Sequence, residues 1–419
     1  MTSIIGVKKI QYPNGTDIIT LDSSGSAAIT TANITTANIT NATATGTVNT
    51  PSINSGPIGG RRNIIINGAM QIFQRGTSLA QSGGATTYSH SADRFRYERG
   101  TDQWAGTMSQ STDTPANEQF QYSLKTLTTA TETAIDADDF LQHTYYVEVN
   151  DGARIGFGKS SCKVSTLSFY VKSSVAGLYG IGISNHNGSQ TLPLNYTINS
   201  ANTWEKKTLT VPARTSGTWE TTGNAKLMGI RFCMGRTGSS YSGGTAGSWS
   251  DDSGWAKLNS NNQSSIADWS RTTDSEFYLT GVQYEVGEQA TPFEHKSFGE
   301  ELDLCHRYFQ QFARTATNSF RIVLTGNGGT NPLGGFTYPK TMRAAPTANY
   351  FGSNTDGGNF NVNTPANGSL GNSGPSYIVV ADNTLLWNFT CPSGAGSTPA
   401  WIDCGTQTNG FGWTLESEL

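Results

Sequence analysis

The stretch "TLSFYVKSSVAGLYGIGIS" (166–184) decides the fold. Its two apolar runs, "TLSFYVKSS" and "LYGIGIS", are rich in β-branched and aromatic residues, and a glycine-containing break parts them. The same signature returns in "WEKKTLTVP" (204–212), "LMGIRFCMG" (227–235) and "EFYLTGVQYEV" (276–286), again with turn residues between. Runs of this kind at regular spacing predict an all-β chain whose main body, residues 63–296, is a jelly-roll-like β-sandwich.

On the N-terminal side the composition changes. "IIGVKKIQY" and "DIITL" flank "PNGT", a turn signal that predicts a hairpin. From Ser23 to Gly60 there is then no charged residue and no aromatic, only Ile29, Ile34, Ile39, Val48, Ile53 and Ile58 spaced on a Thr/Asn/Ser/Ala thread. The five-residue unit in "ITTANITTANITNATATG" (29–46) fits neither the helical period of about 3.6 nor the strand period of 2, so a lone chain cannot gather its isoleucines on one face. Alone such a segment is a polar linker that buries too little to offset its ordering entropy. Copies running side by side would let each isoleucine meet its symmetry mates. Residues 1–62 are therefore read as an N-terminal anchor and extended stalk of a homotrimer.

On the C-terminal side, "SFGEELDLCHRYFQQFAR" (297–314) begins with Ser297 and Glu300 in capping-box spacing and sets Leu302, Cys305, Tyr308, Phe309 and Phe312 along one helical face. It predicts a connecting helix over 297–314. Residues 315–419 return to β-like runs separated by Gly, Asn and Pro, a C-terminal β head.

Composition excludes several classes of function. Charged residues are 14% of the 419 and the net charge is −4, which leaves no basic face for nucleic acid. The longest apolar runs, "NIIIN" (63–67) and "YIVVA" (377–381), fall far short of the ~20 residues of a spanning helix, so no membrane insertion is expected, and "MTSIIGVKK" lacks the pattern of a secretory signal. The five cysteines, Cys162, Cys233, Cys305, Cys391 and Cys404, contain no CxxC pair and read as buried thiols, with a Cys391–Cys404 bridge as the alternative for that pair.

"RRNIIINGAMQIFQRGTS" (61–78) with "YSHSADRFRY" (88–97) resembles the opening of a carbohydrate-binding-module-like sandwich carried by bacteriophage tail-fibre proteins. "VSTLSFYVKSSVAGLYGIGISN" and "YTINSANTWEKKTLTVPARTSGTW" resemble its middle strands, and "FYLTGVQYEVGEQATPFEHKSFGEELDLCHRYFQ" its last strand and exit helix. "YPKTMRAAPTANY" and the closing "LESEL" resemble the terminal head of the same proteins. The resemblance implies a virion protein of the phage tail, made in the host cytoplasm. Its N-terminus would sit on a tail adaptor or nozzle protein, and the chain would attach the virion to a host surface polysaccharide without cutting it. The alternatives are a polysaccharide depolymerase and a purely structural virion component.

Catalytic motifs are missing: there is no GxSxG and no HExxH, and the five histidines stand far apart, so neither enzyme activity nor a cofactor is expected. Asp303 and His306, three apart on the expected helix, could suit a metal but read as an exposed structural pair. Asp136, Asp138 and Asp139 in "IDADDF" offer oxygen ligands of the kind Ca²⁺ takes and are read as a solvated turn. The candidate glycan contacts lie in "GSSYSGGTAGSWSDDSGWAKLNSNNQ" (238–263). Tyr241, Trp249 and Trp255 would offer flat apolar faces to sugar rings, and Asp251 and Asp252 would accept from hydroxyls. The plainer reading is that the tryptophans fold back and cap the sandwich.

Overall fold

The computed structural model describes residues 61–82, 87–100, 103–251, 257–258, 266–313, 333–352 and 411–419, together with short strands elsewhere. The chain divides into two compact units, 1–50 and 51–419. In the first, Lys9–Gln11, Asp17–Leu21 and Ala27–Ala28 form a small antiparallel sheet, and the first two strands are the hairpin expected around "PNGT". The repeat 29–46 lies outside the described residues.

The second unit is all-β with an antiparallel sandwich as its body. In chain order its strands are β1 (Ser78–Gln81), β2 (Thr87–His90), β3 (Phe95–Arg99), β4 (Ala105–Ser111), β5 (Ser123–Ala130), β6 (Leu141–Glu148), β7 (Ser165–Ser173), β8 (Gly177–Asn185), β9 (Gln190–Ile198), β10 (Glu205–Val211), β11 (Lys226–Cys233), β12 (Ser250–Asp251) and β13 (Glu276–Val286). Among the described residues one sheet has the order β10-β7-β13-β5-β4-β1 and the other β12-β9-β8-β11-β6-β3-β2. The stretch 166–184 supplies β7 to the first sheet and β8 to the second, so it is one of the links between the two layers.

Alternation along each strand builds the core. Phe95, Tyr97, Tyr145, Ile181, Ile183, Ile230 and Phe232 from one sheet meet Leu124, Leu167, Phe169, Phe277 and Leu279 from the other, each at most 1% exposed. "NIIIN" adds three isoleucines to this core, and each stabilises it by about 1.5–3 kcal/mol. Its flanking asparagines satisfy the backbone there. Asn67 Oδ1 accepts from the amides of Gln71 and Ile72, and its Nδ2 donates to the carbonyls of Ile72 and Asp93.

The connecting helix is shorter than the expected 297–314. Helix α1 spans Phe298–His306, and its N-terminus has the capping box read from sequence: Ser297 Oγ accepts from the Glu300 amide at 3.3 Å, and Glu300 Oε2 from the Ser297 amide at 2.9 Å. Past His306 the chain turns into strand β14 (Phe309–Ala313), which pairs with β16 (Phe411–Glu416), itself paired with β15 (Thr347–Gly352). The aromatic run "YFQQF" satisfies helical spacing and β propensity alike, and tertiary pairing with the C-terminal strand decides for the strand. Cys233 and Cys305 are buried free thiols and Cys162 is a half-buried one; Cys391 and Cys404 lie outside the described residues.

Candidate functional site

The period that sends aromatics inward sends polar side chains outward from the seven-stranded sheet. In "FRYER" (95–99) Phe95 and Tyr97 enter the core while Arg96 and Glu98 face away; in β6 the outward set is Gln142, Thr144 and Tyr146. Register brings these together: Thr144 lies opposite Arg96 on one side and Arg231 on the other, Gln142 opposite Glu98, and Tyr146 opposite Gly229. Arg96, Glu98, Gln142, Tyr146 and Arg231 of this set form the floor of a cleft of about 510 Å³.

Glu98, 4% exposed, ties the floor together. Its Oε2 accepts from Gln142 Nε2 at 2.6 Å and Thr144 Oγ1 at 2.9 Å, and its Oε1 accepts from the Tyr146 hydroxyl at 2.9 Å and pairs with Arg96 Nε at 3.0 Å. Charge-assisted bonds of this kind hold long side chains in fixed rotamers. Arg231 Nη1 donates to Ser184 Oγ at 2.8 Å.

Glycine makes this flat arrangement possible at two places. A Cβ on Gly229 would come 2.9 Å from Arg231 Nη1 and 3.0 Å from Tyr146 Cε1, so its absence lets both side chains lie against the sheet. A Cβ on Gly182 would come 2.7 Å from Leu258 Cδ2 and 2.8 Å from the Lys257 carbonyl, so its absence lets the long loop settle there. The Leu258 amide donates to the Tyr241 carbonyl at 2.8 Å, and the Tyr241 ring lies 4.7 Å from Phe140, which completes one wall. Burial, with Asp138 nearby, pushes the Tyr241 phenol up to about 12. Tyr88, 56% exposed, forms another edge with its ring over the Arg96 guanidinium at 4.1 Å.

Of the residues picked out in 238–263, Tyr241 lines the cleft. Trp249 does not. Its indole N–H donates to the Pro212 carbonyl at 2.8 Å, and its ring stands edge-on to Phe157 and Trp219, themselves stacked at 4.3 Å, so it caps the sandwich. Asp251 accepts from Gln190 Nε2 at 2.6 Å and Arg214 Nη2 at 2.7 Å, which together hold its carboxyl below the usual range. Asp252 and Trp255 lie outside the described residues. The floor residues Arg96, Glu98, Gln142, Tyr146 and Arg231 were not singled out. Their signal was present as long polar side chains at alternate positions of otherwise apolar strands.

Of the acidic turn, Asp139 Oδ2 accepts from the Asp136 amide at 2.7 Å and Asp138 Oδ1 from Ser240 Oγ at 2.7 Å. Asp303 pairs with Lys340 at 2.6 Å. Among the described residues no three His, Cys, Asp or Glu side chains converge as a metal set.

No protein-family model and no curated protein sequence matches the chain. Solved structures similar to part of it include the enzymatically active domain of tailspike protein 4 of bacteriophage CBA120 (12% identity, TM-score 0.28, over 54% of this chain and 21% of that one). The CBM22-1 xylan-binding domain of Paenibacillus barcinonensis Xyn10C also aligns (12%, 0.26, over 57% of this chain and all of that one). So does a family 11 carbohydrate-binding module of a Clostridium thermocellum cellulosomal cellulase (12%, 0.24, over 53% and 95%). The chain thus spans about a fifth of the length of the tailspike chain.

Proposed function

We propose that the chain binds glycan through the cleft on the seven-stranded sheet and does so as a tail-fibre-type attachment protein of a virion, trimeric through its N-terminal stalk. The cleft carries this reading. Its floor offers donors and acceptors at fixed positions and its edges offer the Tyr88 and Tyr241 rings, the combination that a sugar's hydroxyls and apolar face require.

The role is binding rather than cutting. Two carboxylates, Glu98 and Asp138, border the cleft, but Glu98 Oε2 already accepts from Gln142 and Thr144 and its Oε1 from Tyr146 beside the Arg96 cation, and Asp138 accepts from Ser240, so both are engaged within the protein. Depolymerase activity would need such a pair free. The N-terminal residues would hold a tail adaptor or nozzle protein, and the glycan would be a host surface polysaccharide.

The test is retention of the full chain on immobilised bacterial envelope polysaccharides, with reducing ends assayed in parallel. Binding without release of reducing ends supports the reading. Release of reducing ends replaces it with a depolymerase, and no retention on any polysaccharide favours a structural role.

A further inference from the structure

Three cations border the cleft, Arg96, Lys226 and Arg231, and only Arg96 has a carboxylate within 4.0 Å among the described residues. That carboxylate, Glu98, is shared with Gln142, Thr144 and Tyr146, so its charge is spent on the floor. Lys226 and Arg231 both lie against one ring, with Lys226 Nζ 4.7 Å and Arg231 Cζ 5.7 Å from the Tyr146 centroid. Two half-buried like charges with no carboxylate in ion-pair contact, only the shared Glu98 acting on Lys226 from farther off, cost stability where they stand together. Burial and the neighbouring Arg231 accordingly lower the Lys226 ammonium from its ordinary value. Beside them Gln142 Oε1 and His186 Nδ1, both lining the cleft, have no hydrogen-bond partner in the protein.

We infer that the cleft takes an acidic glycan, one whose sugar carboxylate is drawn to Lys226 and Arg231 while neighbouring hydroxyls meet Gln142 and His186. This rests on the glycan-binding reading above and narrows it. The planar fork of Arg231 matches a carboxylate, and one Arg231 nitrogen is already fixed by Ser184, so the guanidinium is oriented before the ligand arrives. Desolvation in a half-closed cleft strengthens the pairing, and the anion removes the repulsion between the cations. Asp138, on the rim and engaged by Ser240, disfavours an anion at that end and so sets which way round the sugar enters.

A matched pair of ligands decides it. A uronic-acid-bearing bacterial capsular polysaccharide is compared with the same polymer after its carboxyls have been chemically reduced to alcohols, and a phosphate-bearing wall polymer is run beside them. The expected result is binding of the uronate polymer that falls at least tenfold on carboxyl reduction and weakens as salt rises. Lys226→Met and Arg231→Gln, each with an unchanged melting curve, should lose about the same factor. Equal binding of native and reduced polymer, with no effect of either substitution, overturns the acidic preference and leaves glycan binding standing. Preference for the phosphate polymer alone overturns the carboxylate assignment. Absence of binding to all three and to neutral polysaccharides removes the glycan reading itself.

Discussion

Arg94 and Glu418, 324 residues apart in sequence, form an ion pair whose side chains are 2% and 6% exposed. The Arg94 guanidinium also lies 3.5 Å over the Tyr308 ring and donates to the Tyr146 carbonyl at 2.7 Å, so one cation joins the C-terminal tail, the turn after α1 and the strand beneath the cleft. Removing one partner of a buried pair leaves an uncompensated charge, at a cost of about 3–5 kcal/mol. Glu418→Gln should therefore lower the melting temperature by several degrees, while Arg94→Met combined with Glu418→Leu should recover part of the loss. An unchanged melting curve for Glu418→Gln would mean that the tail does not hold the fold.

Acid should unfold the protein through buried groups, His90 and Glu418 in this region and His143 in β6 beside Thr126. Burial lowers His90 and His143 from 6.5 to about 3. Burial alone would raise Glu418, but Arg94, His90 and Arg75 beside it carry its carboxyl down to about 2. A group lowered in the folded state contributes stability that is complete above its unfolded value and lost as pH falls toward its folded one. The two histidines thus cost stability from about pH 6.5 downward, and Glu418 adds to this below about 4.5. Asp93, raised by burial to about 6, acts in the opposite sense and offsets only part of it. Urea midpoints at pH 7.5, 5.5 and 4.5 should fall in that order, and less steeply for His143→Gln. A flat profile would contradict this account.

Tyr241 and Trp249, eight residues apart in the same loop, should separate by assay. Tyr241→Ala takes a ring from the cleft wall and should weaken glycan binding by about 1 kcal/mol, roughly fivefold, with little change in melting. Trp249→Ala unpicks the stack with Phe157 and Trp219 and should lower stability by a few kcal/mol, less than a fully buried tryptophan would, without changing affinity. The reverse pattern would move the site to the sandwich end.

What could be read from the sequence differs between fold and site for a physical reason. The β runs at 166–184 and 276–286 announce themselves because burial demands apolar and β-branched residues wherever a strand enters a core. The capping box at Ser297 was equally visible, being a local hydrogen-bond pattern. The end of α1 was not, because Phe309–Ala313 becomes a strand only by pairing with Phe411–Glu416, about a hundred residues on. Of the glycan contacts picked from the sequence only Tyr241 lines the cleft, and Asp138 on its rim was read as a turn residue. Arg96, Gln142 and Arg231 are scattered over some 135 residues, and only strand register makes them neighbours.

The charge-free repeat leads to a mass measurement. If copies of residues 29–58 meet along a shared axis, light scattering after size exclusion should give about three times 44.7 kDa, and a chain beginning at Arg61 should fall toward the monomer. A monomer from the full chain at micromolar concentration would remove the trimer from the proposal.

Gly229→Ala tests the cleft floor with the least chemistry. Its new methyl would stand 2.9 Å from Arg231 Nη1 and 3.0 Å from Tyr146 Cε1, and both are far ends of side chains that can move. The sheet loses no hydrogen bond, and alanine restricts the unfolded chain more than glycine does, so stability should change by less than about 1 kcal/mol. Affinity should suffer more. Displacing Arg231 from Ser184 and Tyr146 from Glu98 disturbs the groups that the floor holds in register, and a shift of a few tenths of an ångström there spoils several hydrogen bonds at once. The expected outcome is a melting temperature close to that of the parent with binding reduced about tenfold. Parental binding in a folded Gly229→Ala protein would show that the ligand does not rest on this part of the sheet.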